Sequence, residues 1–242
     1  MKLFLLPLLL IVTSCKKDEK VTYAESVSYP KPSAPALITK NFSYLALGDS
    51  YTVGQNVSAS GTFPAQLSTS PQTGTHKWVA APFTVIAQTG WTTDELISAI
   101  KNKNLSGTFD IVTLLIGVNN QYRGYSTTTY RTEFIELLNI AIAYAGGDKT
   151  RMFVLSIPDW GVTPYAQHQD KAKIAKEIDA FNAINKQETE NAGISYTDIT
   201  QISRMAEGNR SLIADDGLHP SAGMYKLWVD KLAPKVIARL QN

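Results

Sequence analysis

Tyr44-Leu45-Ala46-Leu47-Gly48-Asp49-Ser50-Tyr51 decides how the rest of the chain is read: four mostly apolar residues run into Gly-Asp-Ser, and polar sequence follows. Four such residues fit a buried parallel strand, and a glycine lets the chain turn sharply where that strand ends. Ser50 then stands at the carboxyl end of a strand, the edge of an open parallel sheet where ligands bind. A serine there is a candidate nucleophile, and equally a cap for the helix that follows. A Gly-Asp-Ser triplet arises by chance in roughly one chain of this length in twenty, so it acquires meaning only with partners.

Downstream, the same strand-then-turn pattern repeats. Phe83 to Ala87 predicts a second strand ending in Gln88-Thr89-Gly90-Trp91, and Thr92 with Glu95 has the form of a capping box opening a helix to about Lys103. Asp110 to Ile116 predicts a third strand, apolar enough to be buried on both faces and ending in Gly117-Val118-Asn119-Asn120. Phe134, Leu137, Leu138, Ala141, Ile142 and Ala145 repeat at three and four, which predicts a helix over Thr128 to Ala145, stopped by Gly146-Gly147. Met152 to Ile157 and Ile194 to Ile199 complete the strands, with a helix marked by Ile174, Ile178, Phe181 and Ile184 between them. A last helix follows Asp215-Asp216-Gly217-Leu218-His219-Pro220, with Pro220 in its first turn and Pro234 as a kink. Ser70 to Thr75 reads as a loop, and Phe63 to Ser68 as a short helix. Strands alternating with helices predict a three-layer α/β/α fold around a flavodoxin-like parallel sheet of about five strands.

The totals narrow the function. At 242 residues the chain can bury a full core as one domain. Its 23 basic and 21 acidic residues leave a net charge of +2, and no basic cluster interleaved with aromatics speaks for nucleic acid. No phosphate loop, dinucleotide fingerprint or clustered metal-ligand set is present, so no cofactor and no metal are expected. Cys15 is the single cysteine, which excludes an intramolecular disulfide. It ends a leader that starts with Lys2 and continues through the apolar run Leu3 to Val12. That run is too short to span a bilayer and has the form of a secretory signal. Val12-Thr13-Ser14-Cys15 resembles the lipobox of bacterial lipoproteins, which implies cleavage before Cys15 and its acylation. An ordinary signal peptide cut nearby is the alternative. Residues 1–15 are thus read as signal and residues 16–40 as a charged and Pro-rich tether, with the folded domain at residues 41–242. Lys16 after the cysteine is unlike the Asp that retains such proteins in the inner membrane. The expected location is the cell envelope, lipid-anchored at the outer membrane and periplasmic or surface-exposed.

Four segments fall on one sheet edge or can reach it: Gly48-Asp49-Ser50, Gln88-Thr89-Gly90, Gly117-Val118-Asn119 and Asp216-Gly217-Leu218-His219. In order and placement they resemble the four motif blocks of the SGNH (GDSL) hydrolase family, from Tyr44 to the last helix. The resemblance implies an ester hydrolase with Ser50 as nucleophile and His219 as general base. Asp216 lies three residues before His219 and can fold back onto its ring, with Asp215 as the neighbouring alternative. Of the other histidines, His76 falls in a loop before the second block and His168 beside no strand end. The family's oxyanion donors map to the Ser50 and Gly90 backbone N–H groups and the Asn119 side chain. The block roles leave Asp49 to brace its turn. Two positions depart from the family: Tyr51 replaces a Leu, and Asn120 an Asp. Gln121, Tyr122, Arg123 and Trp160 follow strand ends and are candidates for the pocket lining, or for ordinary packing.

The expected substrates are small-molecule, glycan or lipid esters such as acetylated carbohydrates, and the expected membrane contact is the N-terminal anchor. Two rivals stand beside this reading: a non-catalytic surface binding lipoprotein that keeps the fold, and a flavodoxin-like nucleotide binder, which lacks its phosphate loop. The order Ser, Asp, His is shared with α/β-hydrolases, but no Gly-x-Ser-x-Gly surrounds any serine.

Overall fold

A computed structural model describes residues 38–69, 72–73 and 76–241. The leader, Cys15 and the tether up to residue 37 lie outside the described residues.

The first strand, β1 (Ile38–Gly48), is buried from Tyr44 to Gly48 and exposed over its first four residues. Leu45 and Leu47 are fully buried, as the apolar run requires of a strand covered on both faces. Each such side chain contributes about 1.5–3 kcal/mol by leaving water. Tyr44 is equally buried, and its hydroxyl is satisfied by Thr113 Oγ1 at 2.9 Å. The strand begins at Ile38 and pairs with β3 (His76–Ala87) from Ile38 to Phe42 and again from Tyr44 to Gly48.

That pairing corrects two expectations. His76 opens a strand rather than sitting in a loop, and β3 begins seven residues before Phe83. Pro82 hid its first half, since proline cannot donate to a ladder and reads as a strand breaker. The structure accommodates it at a register shift: Phe42 pairs with Ala80, but Tyr44 pairs with Phe83, so one residue of β1 faces two of β3. Within the expected loop, β2 (Gln72–Thr73) pairs antiparallel with the start of β3.

The remaining strands are β4 (Ile111–Leu115), β5 (Met152–Leu155) and β6 (Ser195–Thr197), all parallel to their neighbours. The six-stranded order is β2-β3-β1-β4-β5-β6. Without the two-residue β2, the five parallel strands run in the flavodoxin-like order, with the direction of winding reversing at β1. Helices α3 (Thr93–Lys103), α5 (Thr127–Tyr144) and α6 (Lys171–Asn191) pack as one layer, while α2 (Phe63–Thr69) and α7 (Thr200–Arg204) pack with α8 (Ala222–Gln241). The capping box is present, with the Thr92 N–H donating to Glu95 Oε2 at 2.9 Å.

The last helix starts later than expected. Pro220 lies outside it, in an antiparallel bridge with Ile213, and Ser221 caps the helix by accepting from the Met224 N–H at 3.3 Å. Helix α8 continues through Pro234 without interruption. Among the described residues, no helix is long and apolar enough to cross a membrane.

Candidate active site

The carboxyl ends of β1, β3 and β4 lie side by side, and each leads into one of the motif segments. After β1 the chain turns at once into α1 (Ser50–Val53). Gly48 permits this turn: a Cβ there would lie 2.1 Å from Thr52 Oγ1 and 2.3 Å from the Leu115 carbonyl oxygen. Asp49 is the helix cap, its Oδ1 accepting from the Tyr51 N–H at 3.0 Å, a contact worth about 1 kcal/mol. Its other oxygen, Oδ2, is buried and has no hydrogen-bond partner among the described residues. Burial raises the Asp49 carboxyl to about 7, against the opposing hydrogen bond from Tyr51. Asp49 therefore weakens the fold progressively as pH rises from the ordinary carboxyl range through 7. Ser50 follows as the first helical residue, so its backbone N–H is one of the donors a helix start leaves free.

The segment after Leu212 forms a tight excursion closed at its base. The Ser221 N–H donates to the Leu212 carbonyl at 2.9 Å and the Ala214 N–H to the His219 carbonyl at 2.7 Å. Asp216 sits at its tip. Its Oδ1 accepts from the backbone N–H groups of Leu218 (2.9 Å) and His219 (3.0 Å), and its Oδ2 lies 2.6 Å from His219 Nδ1. Burial acts to raise the Asp216 carboxyl, but the hydrogen bonds from His219 and the two backbone groups outweigh it and bring it down to about 2. Asp215 makes no such contact and is exposed. A further donor comes from 160 residues away: Asn56 Nδ2 reaches Asp216 Oδ2 at 2.5 Å. Asn56 occupies the left-handed region at φ 58°, which asparagine tolerates better than most residues.

On the opposite flank, the third block forms a short helix, α4 (Val118–Tyr122), where the sequence predicts only a strand end. Asn119 Nδ2 donates one hydrogen to the Trp91 carbonyl at 2.9 Å, and among the described residues its second hydrogen has no acceptor. Gly90 takes φ +88°, a conformation that L side chains rarely adopt. Its carbonyl accepts from Arg123 Nη2 at 2.6 Å, while Arg123 Nη1 donates to Glu95 at 3.2 Å. Arg123 thus holds the second-block turn rather than lining the pocket. Asn120 explains its own departure from the family: its Oδ1 accepts from the Thr93 N–H (3.1 Å), and its Nδ2 donates to Thr93 Oγ1 (2.6 Å). The Thr93 hydroxyl is then free to donate to Glu133 on α5.

The nucleophile turn and the two flanks meet at a cavity of about 140 Å³. Ser50, Gly90, Asn119 and His219 line it together with Val118 and Trp160. Among the described residues, no protein group takes the Ser50 or Gly90 N–H, and no hydrogen bond joins Ser50 Oγ to His219. Catalytic hydrogen bonds are often long before substrate arrives. Tyr51 packs its ring 5.5 Å from the His219 ring and 6.3 Å from that of Trp228, which makes the Leu-to-Tyr departure a packing change. Gln121 is buried and fixes the wall, accepting from Trp160 Nε1 at 2.8 Å and donating to Glu177 at 2.8 Å. His168 is exposed and lines no part of this cavity. The sequence reading missed Asn56, Val118, Tyr165 and Leu218; of these only Asn56 carried a signal, an asparagine after Gly54 in a turn leaving the nucleophile helix.

Comparison with known proteins bears on the fold and the family. The sequence model of the GDSL-like lipase/acylhydrolase family matches residues 46–227. Among solved structures, the chain is similar to a lipolytic G-D-S-L family protein from Veillonella parvula, with a TM-score of 0.60 at 17% identity, covering 79% of this chain and 96% of that one. An extracellular lipase from Streptomyces rimosus gives 0.61 at 17% identity over 81% and 99% of the two chains. An acetylxylan esterase from Geobacillus stearothermophilus gives 0.57 at 15% over 81% and 94%. Curated protein sequences give no match. Identities this low speak to the fold alone, whereas the sequence match spans well over half of the chain: it belongs to the GDSL-like lipase/acylhydrolase family.

Proposed function

We propose that this member of an ester-hydrolysing family works through a covalent acyl-enzyme formed on Ser50. The observation that carries the reading is the state of His219: Asp216 engages Nδ1 at 2.6 Å, and the ring lines the same cavity as Ser50. Nε2 is then the nitrogen left for the serine proton. Ser50 Oγ attacks the ester carbonyl as His219 takes its proton, and Asp216 stabilises the imidazolium. The negative charge that develops on the carbonyl oxygen falls to the Ser50 N–H, the Gly90 N–H and the free hydrogen of Asn119. Collapse breaks the ester C–O bond, with His219 returning the proton to the departing alcohol. Water then frees the acid by the same route.

Substrates in this reading are esters such as acetylated carbohydrates or lipid esters. The cavity, about 140 Å³, favours the first, being close to the ~150 Å³ that accommodates a benzene molecule. Hydrolysis of p-nitrophenyl acetate, butyrate and longer esters by the full-length protein in detergent tests the reading, with Ser50→Ala alongside. Wild-type turnover in the mutant would remove Ser50 as nucleophile.

The leader sequence supports a second element of the proposal: acylation of Cys15 anchors the enzyme to the outer membrane of the cell envelope. More than one acyl chain would make that anchoring stable. Release of the full-length protein from membranes without detergent would sink it.

A further inference from the structure

The cavity has a floor and a rim of different character. Ser50, Val118, Trp160 and His219 are buried at its base, while Tyr122 and Tyr165 are 57% and 49% exposed at its outer edge. The two tyrosines come from separate elements, the end of α4 and the short 3-10 turn Pro164–Ala166, yet their hydroxyl oxygens lie 3.2 Å apart. Both rings stand edge-on to the same indole, Tyr122 at 5.5 Å and Tyr165 at 6.1 Å from Trp160. That indole is pinned through Gln121 to Glu177, and the Tyr165 backbone is tied to the His219 excursion through the Gly217 carbonyl at 2.9 Å. The result is a fixed base with two phenols clasped across its opening.

Chemistry assigns this clasp a side. The departing alcohol oxygen has to receive its proton from His219, so the alcohol lies toward the imidazole. The acyl group must take a direction away from both the imidazole nitrogen and the oxyanion donors, and Val118, Trp160, Tyr122 and Tyr165 supply apolar lining of the same cavity for it. Building on the acyl-enzyme reading, we propose that Tyr122 and Tyr165 set the acyl-chain limit of the enzyme. Clasped, they close the acyl end of a cavity with space for about six heavy atoms, enough for acetyl to butyryl and too little for longer chains. Each methylene that a closed apolar pocket rejects is worth about tenfold or more in discrimination.

The test compares kcat/KM for p-nitrophenyl hexanoate with that for the acetate in the full-length protein. Wild type should favour acetate by about tenfold or more. Tyr122→Phe and Tyr165→Phe, which keep the rings and cut only the hydroxyl pair, should raise the hexanoate-to-acetate ratio by about threefold; Tyr122→Ala/Tyr165→Ala should raise it by about tenfold. An unchanged ratio in the double variant overturns the proposal, as does a wild type that takes hexanoate as readily as acetate. If the alanine variant loses its cooperative melting transition, the phenylalanine pair decides, and no rise in either overturns it. A wild type inactive on every ester overturns the acyl-enzyme reading itself, and this inference with it.

Discussion

The two flanks of the cavity are built by different means. On the acid–base flank, Asp216, Leu218 and His219 satisfy one another within four residues, and the excursion carrying them is closed by its own backbone. On the oxyanion flank, among the described residues, the Gly90 turn is closed locally by one backbone hydrogen bond alone, from the Trp91 N–H to the Gln88 carbonyl at 3.2 Å. It is held by Arg123 on its carbonyl, by Asn119 on the Trp91 carbonyl and by Asn120 on Thr93, all from the segment after β4. The first flank is a self-contained unit, the second a joint between two strands' ends. Damage to the first should abolish chemistry while leaving the fold intact; damage to the second should misplace donors and loosen the joint.

The sharpest break of the first flank is His219→Ala. Without its base the serine keeps only what binding and the oxyanion donors supply, so kcat on p-nitrophenyl acetate should fall by about 10⁴-fold or more. Thermal melting of the same variant should stay within a few degrees of wild type, since the excursion keeps its backbone closure. A loss below about tenfold would remove His219 from the role of base.

For the second flank, Asn119→Ala should cost about 10²–10³ in kcat with KM little changed, the pattern of an interaction made only in the transition state. A rise in KM at constant kcat would make Asn119 a ground-state binding residue instead.

Asn120→Asp sharpens the comparison further, because it restores the residue usual in the family and should still harm this protein. Asn120 is fully buried, and its Nδ2 donates to the Thr93 hydroxyl, which in turn donates to Glu133. A carboxylate there can only accept, so Thr93 would have to abandon Glu133 for it, leaving a buried charge beside a second carboxylate. Burial raises the new carboxyl, so the loss, about 1–3 kcal/mol, should be present at pH 8 and recede as pH falls and the group takes a proton. Equal destabilisation at pH 8 and pH 5 in thermal melts would show that charge is not the cause.

This contrast also explains what the sequence could reveal. Strands β1, β4 and β5 are apolar runs whose burial follows from composition, and Asp216 and His219 are close enough in the chain for their pairing to be read from spacing. The first half of β3 was illegible because a register shift absorbs Pro82, and nothing local announces a shift. Arg123 and Asn120 were legible as residues near the site but not as braces, because their partners lie 27 to 33 residues away across a strand order that only the fold sets. Tyr165 carried no local signal at all; its place depends on where the 3-10 turn falls against Trp160.

Asn56 is where the acid–base flank stops being self-contained, and it gives the smallest expected effect. Among the described residues its amide is the one side-chain donor to Asp216 from outside the excursion, shared on Oδ2 with His219 Nδ1. Asn56→Gly suits the test better than alanine, since glycine tolerates the left-handed backbone at φ 58°. Loss of one partly solvated hydrogen bond to a carboxylate should lower kcat/KM at pH 8 about fivefold, roughly 1 kcal/mol. It should also let the Asp216 carboxyl rise from about 2 toward its ordinary value. A carboxyl held low stabilises the fold above the unfolded-state pKa, and that contribution disappears as pH falls toward 2. The stability deficit of Asn56→Gly relative to wild type should therefore be largest near neutral pH and shrink between pH 4 and pH 2. The entropy that glycine adds to the unfolded chain does not depend on pH. A deficit of equal size at pH 7 and pH 2.5 would thus assign the whole effect to the backbone and leave Asp216 braced by its own excursion alone.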